Sequence, residues 1–244
     1  MSELKKEETD DRFLYDLLGF DGRRSLRFPL FGNYKLRDKK TFASLFSVQC
    51  QDLLKIVDQF QSKSGKYSVS GYPYKLGLLL HGPLGTGKTS LIKALAHYTN
   101  RHLVNVPLSK VHTNQELTAL FYNNKYRVVG KPKASQLRYE DFIFVLEDID
   151  SSCEVVKRCD VLRTDDSPNS RNTALKENLP PMGHSIITSS ATAVTKPTFC
   201  LDDNALNLTG LLNVLDGAVD TPGRIIIMTT NYPEVLDPAL IRPG

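Results

Sequence analysis

The chain of 244 residues is 41% hydrophobic and 24% charged, an ordinary globular composition that suffices for one domain with a core and appendages. A net charge of +4 gives no reason to expect nucleic acid as a partner. Four cysteines, Cys50, Cys153, Cys159 and Cys200, form no C-x-x-C pair and have no histidine cluster beside them, which argues against a zinc site or a disulfide framework and for reduced thiols in an intracellular compartment.

Met1 to Asp11 is charged and has no apolar segment of the kind a secretory signal needs, so it reads as a disordered tail. The longest apolar runs, Leu78–Leu80 and Ile225–Met228, are too short to cross a bilayer, and the polypeptide as given is expected to be soluble. Residues 1–34 form a tail and lead-in, and the domain proper is expected over 35–244. Lys35 to Lys40 is a basic, solvated approach to it. A helix fits Gln49–Phe60, where Leu53, Ile56, Val57 and Phe60 fall on one stripe, and Gly65, Gly71 and Pro73 then punctuate a loop.

From there strands and helices alternate. Leu76–Leu80 reads as a buried strand, Ser90–Tyr98 as a helix with Ile92, Leu95 and Ala96 inward, and His102–Val106 as a second strand. Thr113 and Glu116 form a capping box ahead of Leu117, Leu120 and Phe121. Phe142–Leu146 is a wholly apolar strand, Leu208, Leu211, Leu212 and Leu215 mark a helix, and Ile225–Met228 is another buried strand. Strands apolar on both faces, alternating with amphipathic helices, predict an α/β fold with a parallel sheet covered by helices on both faces. Between 151 and 207 the periodicity lapses into Ser, Thr, Pro and Asn, which predicts a long insertion, mobile at least in part.

Gly82-Pro83-Leu84-Gly85-Thr86-Gly87-Lys88-Thr89 is a G-x-x-x-x-G-K-[ST] loop, followed by Ser90 in a helix. A loop that wraps a phosphate turns successive backbone N–H groups inward, which takes glycine dihedrals, and the helix N-terminus adds free N–H groups and its dipole. Lys88 is placed to reach the β- and γ-phosphates and the Thr89 hydroxyl to ligate Mg²⁺. Phe142–Leu146 runs into Glu147-Asp148-Ile149-Asp150, carboxylates at the carboxyl end of a buried strand where open α/β sheets bind ligands. One of Glu147 and Asp148 holds the magnesium hydration shell and the other polarises the attacking water. By position Glu147 takes the metal and Asp148 the base role. The two side chains differ in reach by one methylene, so the division of roles stays open at this point. Asp150 reads as a helix cap or a supporting group. The third apolar strand ends in Thr229-Thr230-Asn231, which puts Asn231 where a neutral donor–acceptor can bond both the γ-phosphate and the water. Arg242, in Leu236-Asp237-Pro238-Ala239-Leu240-Ile241-Arg242-Pro243-Gly244, is by its residue type a solvated helix-end residue or, in the functional reading, an arginine finger supplied from a neighbouring subunit.

These four blocks, in this order, resemble the P-loop ATPases of the AAA+ superfamily, and its AAA branch in particular. The run Lys75–Gly82, the Glu147-Asp148 order and the stretch from Thr230 to Gly244 resemble the mitochondrial Rieske-protein translocase group, ring ATPases of respiratory complex III assembly, with its plant and protist relatives. The resemblance covers 35–151 and 206–244. It implies ATP contacts at Gly82–Ser90, magnesium and water handling by Glu147 and Asp148, sensing by Asn231, a trans arginine at Arg242, a homo-oligomeric ring and a protein cargo. It also implies that a membrane-spanning segment and a mitochondrial targeting region would lie upstream, so that membrane association and an inner-membrane location would come only through a segment absent from this chain. A second arginine and a C-terminal helical lid would follow Gly244, and the domain is expected to be truncated before that lid. Pro107 to Gln115 lacks the aromatic–hydrophobic–glycine pore loop of threading unfoldases, which suits a translocator of folded cargo. The absence of an N-K-x-D aspartate at Asn124-Lys125-Tyr126-Arg127 argues against a GTPase, and the lack of an L-S-G-G-Q-like signature against an ABC ATPase. The alternative to an ATPase is a scaffold that binds nucleotide without hydrolysing it.

Overall fold

In the computed structural model, the residues described are 11–21, 28–36, 40–45, 50–123, 125–131, 133–136, 138–152 and 205–241. The tail expected at the N-terminus, nearly all of the expected insertion and Arg242 lie outside them.

The elements in chain order are β1 (Phe13–Asp21), β2 (Phe28–Lys35), α1 (Cys50–Gln61), β3 (Lys75–His81), α2 (Lys88–Thr99), β4 (His102–Asn105), α3 (Asn114–Tyr122), β5 (Lys125–Val128), β6 (Ser135–Gln136), β7 (Phe142–Leu146), α4 (Ile149–Ser152), α5 (Leu208–Asp216) and β8 (Arg224–Thr230), with short 3-10 turns between some of them. The strands form one sheet in the order β3-β8-β7-β4-β1-β2-β5-β6. From β3 through β1 every neighbouring pair is parallel, and the β1–β2 and β5–β6 pairs are antiparallel.

The central strands are buried on both faces because their residues alternate between two cores. Ile143 and Val145 of β7 and Ile225 and Ile227 of β8 pack with Val57 and Phe60 of α1 and with Ile92, Leu95 and Ala96 of α2. Phe144 and Leu146, with Ile226 and Met228, pack with Leu117, Leu120 and Phe121 of α3 and with Leu211 and Val214 of α5. An unbroken apolar run thus satisfies a strand sandwiched between helix layers, as its sequence predicts. The expected α/β architecture stands, a mostly parallel sheet with helices on both faces.

Four details depart from the sequence expectations. Residues 13–35, expected as part of a lead-in, supply β1 and β2, which extend the sheet beyond β4. Lys125–Gln136 adds the hairpin β5–β6 at the far edge. The strand predicted at Leu76–Leu80 is less buried than β7 or β8, with Leu76 its one fully buried residue, because β3 is the outer strand of the described sheet. The capping box at α3 forms with a shifted partner. The Thr113 hydroxyl accepts the Glu116 N–H at 3.1 Å, while Glu116 Oε2 accepts the N–H of His112, one residue before the cap.

Candidate functional site

Strand order decides where the motifs meet. Strands β3, β8 and β7 are adjacent and parallel, with His81 opposite Thr230 and Leu146 opposite Met228. Their carboxyl ends therefore release the phosphate loop, Asn231 and the Glu147-Asp148 pair at one rim of the sheet.

The loop from Gly82 to Gly87 connects β3 to α2. Gly87 caps α2 in the left-handed region at φ 89°, and Gly85 sits there too at φ 84°, which is where a side chain is penalised and glycine is not. Thr86 Oγ1 donates to the Pro83 carbonyl at 2.9 Å and closes the turn. Leu84 stands at its crest, almost fully exposed. Lys88 and Thr89 occupy the first turn of α2, with Ser90 next. Lys88 Nζ donates to the carbonyls of Gly82 at 2.6 Å and Pro83 at 3.1 Å, and to Asn231 Oδ1 at 2.8 Å.

Asn231 is the hinge of the arrangement. Its Oδ1 accepts from Lys88, while its Nδ2 donates to Asp148 Oδ1 at 3.3 Å. A separate contact joins the other two predicted residues, Thr89 Oγ1 donating to Glu147 Oε1 at 3.3 Å. The two carboxylates are thus sorted by neighbour, Glu147 beside the Thr89 hydroxyl and Asp148 beside the Asn231 amide. A hydroxyl and a carboxylate at this separation are the hard oxygen donors that suit Mg²⁺, which takes few protein ligands and keeps several waters. Among the described residues there is no cluster of three or more His, Cys, Asp or Glu that would hold a different kind of metal.

Five of the predicted residues, Lys88, Thr89, Glu147, Asp148 and Asn231, therefore converge. Two further contacts were not assigned from sequence: the Thr229 hydroxyl accepts the Asp148 N–H at 2.9 Å, and Asp150 Oδ1 accepts the Asn231 N–H at 3.2 Å. Its sequence position marks Asp150 only as a cap or supporting group, and nothing in the run Thr229-Thr230 marks the first threonine over the second.

A family model described as the ATPase family associated with various cellular activities (AAA) matches residues 78–175, a stretch that contains the phosphate loop and both carboxylates. The chain carries an AAA domain. The AAA-ATPase At3g50940 of Arabidopsis thaliana is 35% identical over 196 residues, covering 80% of this chain and 33% of its own length. Protein HYPER-SENSITIVITY-RELATED 4, also of Arabidopsis thaliana, is 33% identical over 190 residues, 77% of this chain and 26% of its own. The probable mitochondrial chaperone BCS1-B of Dictyostelium discoideum is 31% identical over 244 residues, 99% of this chain and 46% of its own. The chain with its AAA domain thus spans less than half the length of these relatives. No helix among the described residues is long and apolar enough to cross a membrane.

Proposed function

We propose that this chain binds ATP with Mg²⁺ and hydrolyses it, as the motor domain of an AAA machine that remodels or translocates a protein cargo. The observation that carries the reading is the contact chain Lys88–Asn231–Asp148, which links the residue that grips phosphate to the residue that handles water.

In this reading Gly82–Ser90 cradles the phosphates, with backbone N–H groups and the α2 N-terminus turned towards their charge. Lys88 exchanges its carbonyl partners for β- and γ-phosphate oxygens. Thr89 and Glu147 hold Mg²⁺, which when bound neutralises charge on the phosphate oxygens. Asp148 orients the attacking water and accepts its proton, because it lies on the Asn231 side and away from Thr89. Asn231 presents its amide to both the γ-phosphate and the water. Arg242 completes the site of a neighbouring subunit in a homo-oligomeric ring, stabilising charge on the transferring group. The Dictyostelium relative's description as a probable mitochondrial chaperone supports a protein cargo and a mitochondrial setting, and a part in respiratory-complex assembly rests on the sequence resemblance to the Rieske-protein translocase group alone.

Steady-state ATP hydrolysis by the full-length protein at rising concentration tests this, with Asp148→Asn alongside. Specific activity is expected to climb with concentration as shared sites assemble. Asp148→Asn should keep ATP binding and lose turnover by about 10²–10⁴-fold, the usual contribution of a positioned base. Hydrolysis no greater than in that variant would leave a nucleotide-binding scaffold.

A further inference from the structure

The turns that carry Asp148 and Asn231 are held to each other by side chains. The paired residues of β7 and β8 end at Leu146 and Met228. Just past that point, side-chain oxygens take over as acceptors. The Thr229 hydroxyl receives the N–H of Asp148 at 2.9 Å, and the Asp150 carboxylate receives the N–H of Asn231 at 3.2 Å. One bond runs from the β7 turn to β8 and the other from the β8 turn to α4, so the two form a reciprocal clasp.

Both acceptors are buried, Thr229 at 2% and Asp150 at 8% exposure, while Asp148 lies open to solvent. Asp148 also has φ 46°, a left-handed backbone conformation that costs a non-glycine residue about 1–2 kcal/mol unless its surroundings hold it there. The Thr229 hydroxyl is the group that meets this backbone. A buried acceptor on each side therefore fixes two residues whose own side chains must agree to within a hydrogen bond.

We infer that Thr229 and Asp150 are positioning residues for the hydrolytic step. Thr229 holds the strained turn that aims the Asp148 carboxylate at the Asn231 amide. Asp150 holds the Asn231 backbone so that its side chain bridges Lys88 and Asp148. The inference rests on Asp148 and Asn231 acting in ATP hydrolysis. Being buried, neither Thr229 nor Asp150 needs to meet the nucleotide, and both act through the residues they hold.

Thr229→Val keeps the branched shape and deletes the acceptor, and Thr229→Ser restores it. Asp150→Leu deletes the second acceptor, whereas Asp150→Asn keeps an Oδ1. In the full-length protein Thr229→Val and Asp150→Leu are each expected to lower kcat by about 10–100-fold, the range seen when a supporting partner of a reacting group is lost. KM and the displacement of a fluorescent ATP analogue should stay within about twofold, since phosphate binding is left in place. Thr229→Ser and Asp150→Asn should recover most of the rate. Wild-type kcat in Thr229→Val would overturn the inference while hydrolysis itself stood. So would a loss of rate, nucleotide binding and melting temperature together that Thr229→Ser failed to restore, because that is a purely structural role. A wild-type protein with no more turnover than Asp148→Asn would instead remove the ATPase reading on which the inference depends.

Discussion

At the amino ends of β4 and β8 two buried arginines are engaged with backbone carbonyls. Arg101, just before β4, donates through Nη1 to the carbonyl of Gly223 at 2.7 Å and to that of Tyr139 at 3.1 Å, and its guanidinium lies over the Phe60 ring. Arg224 opens β8, donates to the Leu215 carbonyl at 2.9 Å and lies over Phe121. Burial pulls both guanidinium groups below their ordinary pKa. At the carboxyl ends of the same sheet, Lys88, Thr89, Glu147, Asp148 and Asn231 bond mainly to one another and reach solvent. One end spends its charges on joining strands that are far apart in sequence. The other holds charges in contacts that a ligand can exchange, and a sheet with both ends built that way would have less to hold it together.

Substitutions at the two ends should therefore separate activity from stability. The largest effect is expected for Lys88→Ala, which removes charge-assisted bonds to phosphate. Titration calorimetry should show ATP affinity reduced by about 100-fold or more. Its melting temperature should hardly move, because the Pro83 carbonyl is exposed and the Gly82 carbonyl only partly buried, so both can turn to water. Unchanged affinity would remove the phosphate-loop assignment. Arg101→Met should do the reverse. It strands the buried Gly223 carbonyl and the part-buried Tyr139 carbonyl and is expected to cost about 2–4 kcal/mol in denaturant unfolding, with nucleotide affinity intact in the folded fraction. Affinity lost in step with stability would mean that the two ends are coupled.

The smallest effect concerns pH at the amino end. His102 Nδ1 accepts the Phe13 N–H at 3.2 Å, tying β1 to β4, and burial lowers the pKa of the imidazole from its ordinary 6.5. Protonation is thus favoured more in the unfolded chain than in the folded one. Stability from this group is complete above pH 6.5 and falls as pH drops below it, towards the lowered folded value. The slope is at most about 1.4 kcal/mol per pH unit. Unfolding curves from pH 7.5 to 5 should show it, and His102→Asn, which keeps an acceptor without a titration, should flatten it.

The parts of this fold legible in sequence are those where one physical demand dominates. Phe142–Leu146 and Ile225–Met228 read as strands because both faces are buried, and Gly82–Thr89 reads as a phosphate loop because the backbone demands glycine there. Strand β1 is hidden in the sequence because Asp16 interrupts its apolar run, and that residue is explained by Asn105, whose Nδ2 donates to it at 2.8 Å across the sheet, and by Lys110, whose Nζ lies 3.6 Å from it. Strand β5 did carry a signal, the alternation Lys125-Tyr126-Arg127-Val128 ahead of the turn at Gly130, with Tyr126 and Val128 buried and the two cations exposed. Four residues of period two are easily passed over beside long helices. At the site, residue types located Lys88, Thr89, Glu147, Asp148 and Asn231. The pairing of Asp148 with Thr229 and Asn231 follows from the register of β7 against β8, and that of Glu147 with Thr89 from the strand order β3-β8-β7, neither of which a local pattern encodes.

Lys88 is already held by three oxygens of its own chain, the carbonyls of Gly82 and Pro83 and the Asn231 amide. Any phosphate must displace them, so a measured affinity would be an exchange free energy and not the full strength of the new contacts. The same oxygens are at hand to take the lysine back as a phosphate leaves. Under the proposed function the loop would act as an internal competitor, loosening the grip on product as well as on substrate, and a cyclic machine would benefit more from quick exchange than from tight retention.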